Sequence, residues 1–191
     1  MRESKRRIAE RLAWIASLLG SSCLAFAMAA AKPAEGLVRG DTLPAVRGKT
    51  LSGNAVLLPE QAIGRPAMLV VGFSRASKEA AQPWLQNCRE RFAVAAGEGA
   101  RCYDVRMVEG IPRLFRGFAE GGMRKGYPAA LLDQVLLVYQ ENDLWKQRLG
   151  AADENTAYVV VLDASGRVSG LQRGAFSEGA LSEVLAGLGP A

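Results

Sequence analysis

AMLVVGFSRASKEAAQPW, residues 67–84, changes its period midway. AMLVVGF is a short continuous apolar run introduced by Gly64-Arg65-Pro66, the pattern of a strand covered on both faces. From Ser74 the spacing becomes helical as far as about residue 96, with Ser77 as the cap and Trp84, Leu85, Cys88 and Phe92 on one face. Pro83 is expected to kink this helix, because proline removes one backbone hydrogen bond and crowds the preceding turn. A central strand feeding a helix is therefore the unit around which the remaining chain is arranged.

Downstream, residues 102–108 alternate as a second strand, after a break at Gly97-Glu98-Gly99. Residues 112–119 read as a short helix with proline in its first turn, after which Gly121, Gly122 and Gly126 loosen the chain. VLLVY (135–139) is a third strand, residues 143–149 a helix stopped by Gly150, and YVVVLD (158–163) a fourth strand. Ala164-Ser165-Gly166 is turn chemistry, so residues 167–173 should return antiparallel. Ser177 caps a last helix carrying Leu181, Val184, Leu185 and Leu188 on its inner face. Strands and helices alternating in this way imply an α/β fold, with parallel strands joined by right-handed crossovers in a central mixed β-sheet flanked by helices. A C-terminal β-hairpin plus helix closes it.

Upstream, residues 1–29 combine a basic start with the uncharged run that extends over 13–31 and ends in small residues, which reads as an export signal cleaved after Ala29. The alternative is an uncleaved signal anchor, because that run approaches the roughly 20 residues that span a bilayer. Residues 30–54, rich in Gly, Pro and basic residues, read as an extended lead-in. Lys and Arg number 24 against 19 Asp and Glu, but the leader holds five of the basic and two of the acidic residues. Beyond it the formal net charge falls to +2, and no basic run interleaved with aromatics remains to bind nucleic acid. The 191 residues contain no histidine. That removes Ser-His and Cys-His nucleophiles and every His-dependent zinc site. Neither metal nor cofactor is expected.

The element order resembles the thioredoxin-like fold of exported thioredoxin-like and peroxiredoxin-like proteins over about residues 37–188. The segments 67–84 and TAYVVVLDASGRVSGLQRGA (156–175) carry most of the resemblance, and the thioredoxin-like domain is assigned to residues 55–191. In redox-active members, as the resemblance implies, a Cys-x-x-Cys opens the first helix, where the helix N-terminus lowers the thiol pKa. The corresponding place here is Arg75-Ala76-Ser77-Lys78. The cis-proline before the next-to-last strand is replaced by Thr156-Ala157, where a cis bond would cost about 3 kcal/mol. GFSRAS (72–77), LLVYQENDLWKQRLG (136–150) and YVVVLDASGRV with Gly174-Ala175 are similar to the redox-inactive assembly-factor branch associated with the membrane sector of mitochondrial ATP synthase.

That resemblance implies an exported, non-catalytic protein, periplasmic or anchored on the periplasmic side, acting as chaperone or assembly factor on a membrane or envelope complex. Its partner would be a protein, for instance a subunit of such a complex, with membrane association through the leader. Arg75, Ser77, Lys78 and Thr156 mark the degenerate redox position, where exposed N–H groups and two cations could hold an anion or an acidic partner segment. A solvated helix start explains the same residues equally well.

The enzyme alternative is an atypical thiol oxidoreductase or peroxiredoxin-like protein using Cys88 and Cys102, which remain after Cys23 leaves with the leader. A bond between them is disfavoured by helix length: Cys88 lies about eight residues before the helix end, roughly 12 Å along the axis. Bridged Cα atoms must approach within about 7 Å. Two buried core thiols are expected instead. Asp104, Arg106 and Glu109 are read as strand-end or turn residues. A third reading places a binding face in a loop over residues 117–128.

Overall fold

The computed structural model describes residues 36–188, and the export signal read over residues 1–29 lies outside the described residues. Seven strands form one mixed sheet in the order β2-β1-β5-β4-β3-β6-β7. They are β1 (Val46–Thr50), β2 (Ala55–Leu58), β3 (Ala67–Gly72), β4 (Arg101–Met107), β5 (Val135–Val138), β6 (Tyr158–Leu162) and β7 (Val168–Arg173). Helix α1 (Ser77–Asn87) runs on through a π turn (Cys88–Phe92) into Ala93–Ala95, and is followed by α2 (Arg113–Arg124), α3 (Asn142–Leu149) and α4 (Glu178–Ala186).

β3, β4 and β5 are parallel, as the helical crossovers between them require. Every residue of β3 and of β6 is buried, which is why both read as unbroken apolar runs. β6, however, runs antiparallel to β3, with Ala67 opposite Leu162 and Val71 opposite Tyr158.

β1 corrects the lead-in expected over residues 30–54. VRGKT pairs with β2, Val46 opposite Leu58, and with β5, Lys49 opposite Leu137, so the sheet begins before residue 55. Gly48 permits that close pairing, since a Cβ there would stand 2.6 Å from Leu136 Cδ1. One face of the sheet, including Met68, Val70, Val159 and Val161, packs under Trp84 and Phe92 of α1 and its extension and under Leu181 and Val184 of α4. The other face, with Leu69, Val71, Val105 and Val160, packs on Trp145 and Leu149 of α3. Fully burying each large apolar side chain contributes roughly 1.5–3 kcal/mol. The Asp163 carboxylate fixes the β6–β7 turn by accepting from the N–H groups of Ser165 (2.8 Å) and Arg167 (3.0 Å), and Gly166 supplies φ 80°. Ser177 caps α4 as expected, accepting from the Ala180 N–H at 3.2 Å.

Helix α2 differs most from expectation, continuing through Gly117, Gly121 and Gly122 to Arg124. Beside Met123, which packs against Leu51, Val135 and Leu137, its inward side carries polar groups. Glu120, 8% exposed, accepts from Lys49 Nζ at 3.0 Å and from the Tyr139 hydroxyl at 2.8 Å. Arg124 Nε donates to the Leu51 carbonyl at 2.9 Å, and the Arg116 guanidinium lies 4.2 Å from the Tyr139 ring centroid. Burial alone would raise the Glu120 pKa, but the hydrogen bonds from Lys49 and Tyr139 and the charges of Lys49 and Arg124 outweigh it and hold it below the ordinary range. A carboxylate with a lowered folded-state pKa contributes stability above its unfolded pKa and loses it as pH falls through the folded value. The stability gap between wild type and Glu120→Gln, followed by thermal melts across pH, is therefore expected to be widest near neutrality and to close below about pH 4.

Among the described residues no helix is long and apolar enough to cross a membrane.

Candidate functional site

Where β3 ends, the chain turns through residues 73–76 into α1. Gly72 is required there, because a Cβ would collide with the Ser77 hydroxyl and lie 3.0 Å from Arg106 Nη1. Ser77 is not the cap. Its side chain is fully buried and donates to the Ser74 carbonyl at 2.7 Å, while the Ser77 N–H donates to Ser74 Oγ at 3.2 Å. The cap position is Ala76, which has no capping side chain, and Ser74 Oγ, two residues earlier, holds the first helical N–H instead. Its hydroxyl also donates to Asn155 Oδ1 at 3.0 Å, which ties the start of α1 to the loop before β6.

Beside this turn is a cavity of about 590 Å³, walled by the start of α1, the ends of β3 and β4 and the flank of α2. Arg75, Lys78 and Arg106 supply cations to the wall, Phe118, Ala119 and Met123 supply apolar surface, and no carboxylate lines it. Arg75 is exposed, its carbonyl accepts from the Lys78 N–H at 3.3 Å, and its guanidinium has no ion pair or hydrogen bond among the described residues. Lys78 Nζ lies 5.2 Å from the Tyr127 ring centroid. Of the residues singled out from sequence, the cavity brings together Arg75 and Lys78. Thr156 is half-buried in the loop before β6 and does not line the cavity.

Below the wall is a buried charge cluster. Asp104 and Arg106 are two apart in β4 and share a face, rather than standing at a strand end or turn. Arg106 Nη2 donates to Asp104 Oδ2 at 3.0 Å, and Nε stands 2.6 Å from Oδ1 as an ion-pair contact outside hydrogen-bond geometry. The Tyr127 hydroxyl donates to Asp104 Oδ2 at 2.8 Å. Burial pulls the Arg106 pKa down, but the Asp104 carboxylate and Tyr127 outweigh it and the value is raised, so the guanidinium stays charged. Burial first, and then the Asp104 charge, push the Tyr127 phenol up to about 12. Sequence reasoning missed this cluster, although two opposite charges at i and i+2 within a run of apolar residues were the available signal. Tyr127→Phe is expected to cost about 1–2 kcal/mol in urea denaturation, since it removes a hydrogen bond to a buried carboxylate.

The cysteines overturn an expectation. Cys88 and Cys102 form a disulfide with Cα atoms 5.9 Å apart. The strand does not start level with the helix end. From Ser77 to Ala95 the helical stretch is about 28 Å long, whereas the six residues of β3 span about 20 Å. The helix overshoots the sheet, and the chain doubles back through Gly97 and Gly99, both at positive φ, to enter β4. Cys102 is thereby brought level with Cys88 rather than with the helix terminus. Cys88 is fully buried and Cys102 is 7% exposed. The bond sits beneath the far end of α1, remote from the helix start at residues 74–78.

No family model matches the chain, and no curated protein matches it. Solved structures do. A protein described as thiol:disulfide interchange protein DsbE from Chlorobium tepidum superposes with TM-score 0.56 at 15% identity, covering 81% of this chain and 100% of its own. The thioredoxin domain of a thiol-disulfide oxidoreductase from Bacteroides vulgatus gives 0.52 at 17% identity, covering 79% and 97%. The exposed lipoprotein thioredoxin of Streptococcus pneumoniae gives 0.52 at 12%, covering 75% and 98%. At these identities the likeness is one of fold. Together with the strand order and the helices on both faces of the sheet, it establishes that this chain has the thioredoxin-like fold.

Proposed function

We propose that this protein is an exported thioredoxin-fold binding protein that performs no thiol chemistry and serves the assembly of a membrane or envelope complex. The observation that carries the reading is the pairing of a sulfur-free helix start, Ser74 to Lys78, with two cysteines that bond each other deep under the far end of the same helix. Thiol exchange needs an accessible sulfur whose thiolate is stabilised, as at a helix N-terminus. Export is supported by the leader read over residues 1–29 and by the disulfide itself, because such bonds persist in oxidising compartments. The exposed lipoprotein thioredoxin of Streptococcus pneumoniae is a neighbour whose description points the same way.

A second reading, a thiol exchanger or peroxiredoxin-like enzyme cycling Cys88 and Cys102, is favoured by the existence of that bond and by neighbours described as thiol:disulfide interchange proteins. Insulin reduction and peroxide consumption by the purified protein separate the two. Binding without chemistry predicts rates equal to a no-protein control and a Cys88–Cys102 bond that yields alkylatable thiols only when a reductant is combined with denaturation. Turnover abolished by Cys88→Ser would establish the enzyme instead.

A further inference from the structure

Helix α2 leaves most of its large apolar side chains outside. Helices at protein surfaces place their apolar stripe on the core, but here Glu120 is buried and Arg116 half-buried against Tyr139, Met123 alone of the large apolar residues packs on the core, and Leu114, Phe115 and Phe118 are 86%, 58% and 88% exposed. These three side chains fall on one arc of the helix, and Phe118 continues the arc into the cavity of about 590 Å³. A contiguous apolar surface of this kind on a soluble domain marks an interaction site.

The helix's glycines add a second observation. Gly117, Gly121 and Gly122 each cost about 1 kcal/mol relative to alanine in a helix interior. None has a positive φ, and a Cβ on any of them would meet nothing within 4 Å. Nothing inside the fold uses their bareness, whereas an approaching backbone would. The charge surrounding the arc is one-sided: Arg75 and Lys78 stand on the cavity wall, Arg113 and Lys125 at the two ends of α2, and no carboxylate lines the cavity.

We infer that the outward face of α2 and the adjoining cavity form a docking groove for an amphipathic helical segment of a partner protein, with an apolar stripe flanked by acidic residues. The stripe covers Leu114, Phe115 and Phe118, one of its side chains enters the cavity, and its carboxylates face Arg75 and Lys78. A protein segment fits better than a bilayer surface because the apolar ridge adjoins a recess of about 590 Å³ with Arg106 in its wall, which a flat interface leaves unfilled. This inference rests on the binding reading above and names the partner's chemistry.

The probe is a fluorescein-labelled helical peptide of Leu and Glu, compared with its Leu and Lys counterpart, titrated with the full chain and read by anisotropy. The Leu/Glu peptide is expected to bind at least about tenfold more tightly. Phe118→Asp should abolish that binding, and Arg75→Glu should weaken it about tenfold. Both residues are exposed, so circular dichroism should show an unchanged fold. Equal binding of the two peptides, absence of binding, or binding indifferent to Phe118→Asp would overturn the groove. Two further arms decide between occupants. Cosedimentation with phosphatidylglycerol vesicles that Phe118→Asp removes would assign the face to lipid, and concentration-dependent dimerisation removed by the same change would assign it to a second copy. Either result refutes the acidic segment. Failure here leaves the insulin and alkylation results standing, so the groove and the non-catalytic reading fail separately.

Discussion

Asp104→Ala should lower the free energy of unfolding by about 3–5 kcal/mol, measured by urea denaturation with tryptophan fluorescence. The size follows from what stays behind. Arg106 is 8% exposed, donates from Nη2 to the Asp104 carboxylate and holds Nε 2.6 Å from its other oxygen. Without it a guanidinium that cannot shed its proton remains buried beside a Tyr127 hydroxyl that has lost its acceptor. Arg106→Ala leaves the opposite remainder, a buried carboxylate that keeps its hydrogen bond from Tyr127 but has lost its cation. Replacing both charges at once, Asp104→Leu with Arg106→Met, should recover most of the loss, because the desolvation cost disappears with the pair. A cost below about 1 kcal/mol for Asp104→Ala would mean that water from the neighbouring cavity solvates Arg106, and that the cluster is not a buried one.

Legibility in the sequence followed burial. AMLVVG and YVVVL are covered on both faces, so composition alone identifies them as strands. VRGKT was opaque because β1 lies towards the sheet's edge, and its glycine is needed for approach to β5 rather than for a turn. Gly121, Gly122 and Gly126 read as loosening the chain, yet α2 persists to Arg124 because Glu120, Arg116 and Arg124 anchor it to Lys49, Tyr139 and Leu51. The contacts to Lys49 and Leu51 join residues 71 and 73 positions apart and those to Tyr139 reach across to another strand, so local pattern carries no information about them. At the site, Arg75 and Lys78 could be placed because they follow directly from a recognisable strand and turn. Tyr127 could not, since it reaches Asp104 only through the fold of the whole segment between them.

Replacing both cysteines, Cys88→Ala with Cys102→Ala, is expected to cost about 3 kcal/mol of stability in the same denaturation experiment. Fourteen residues separate the two sulfurs, and closing a loop of that length removes about 3 kcal/mol worth of conformational entropy from the unfolded chain. The bond also sits among Trp84, Phe92 and Met68, so reduction by a mild thiol should be slow until the helical stretch opens. Peptide binding at α2 should survive the double replacement, because the groove and the bond lie at opposite ends of α1. The two roles of a disulfide predict opposite pairings of results. A structural bond couples a large loss of stability to unaltered binding and no catalysis. A working redox pair couples a loss below about 1 kcal/mol to rapid reduction and lost turnover, because a bond that must open in every cycle cannot also hold the native core together.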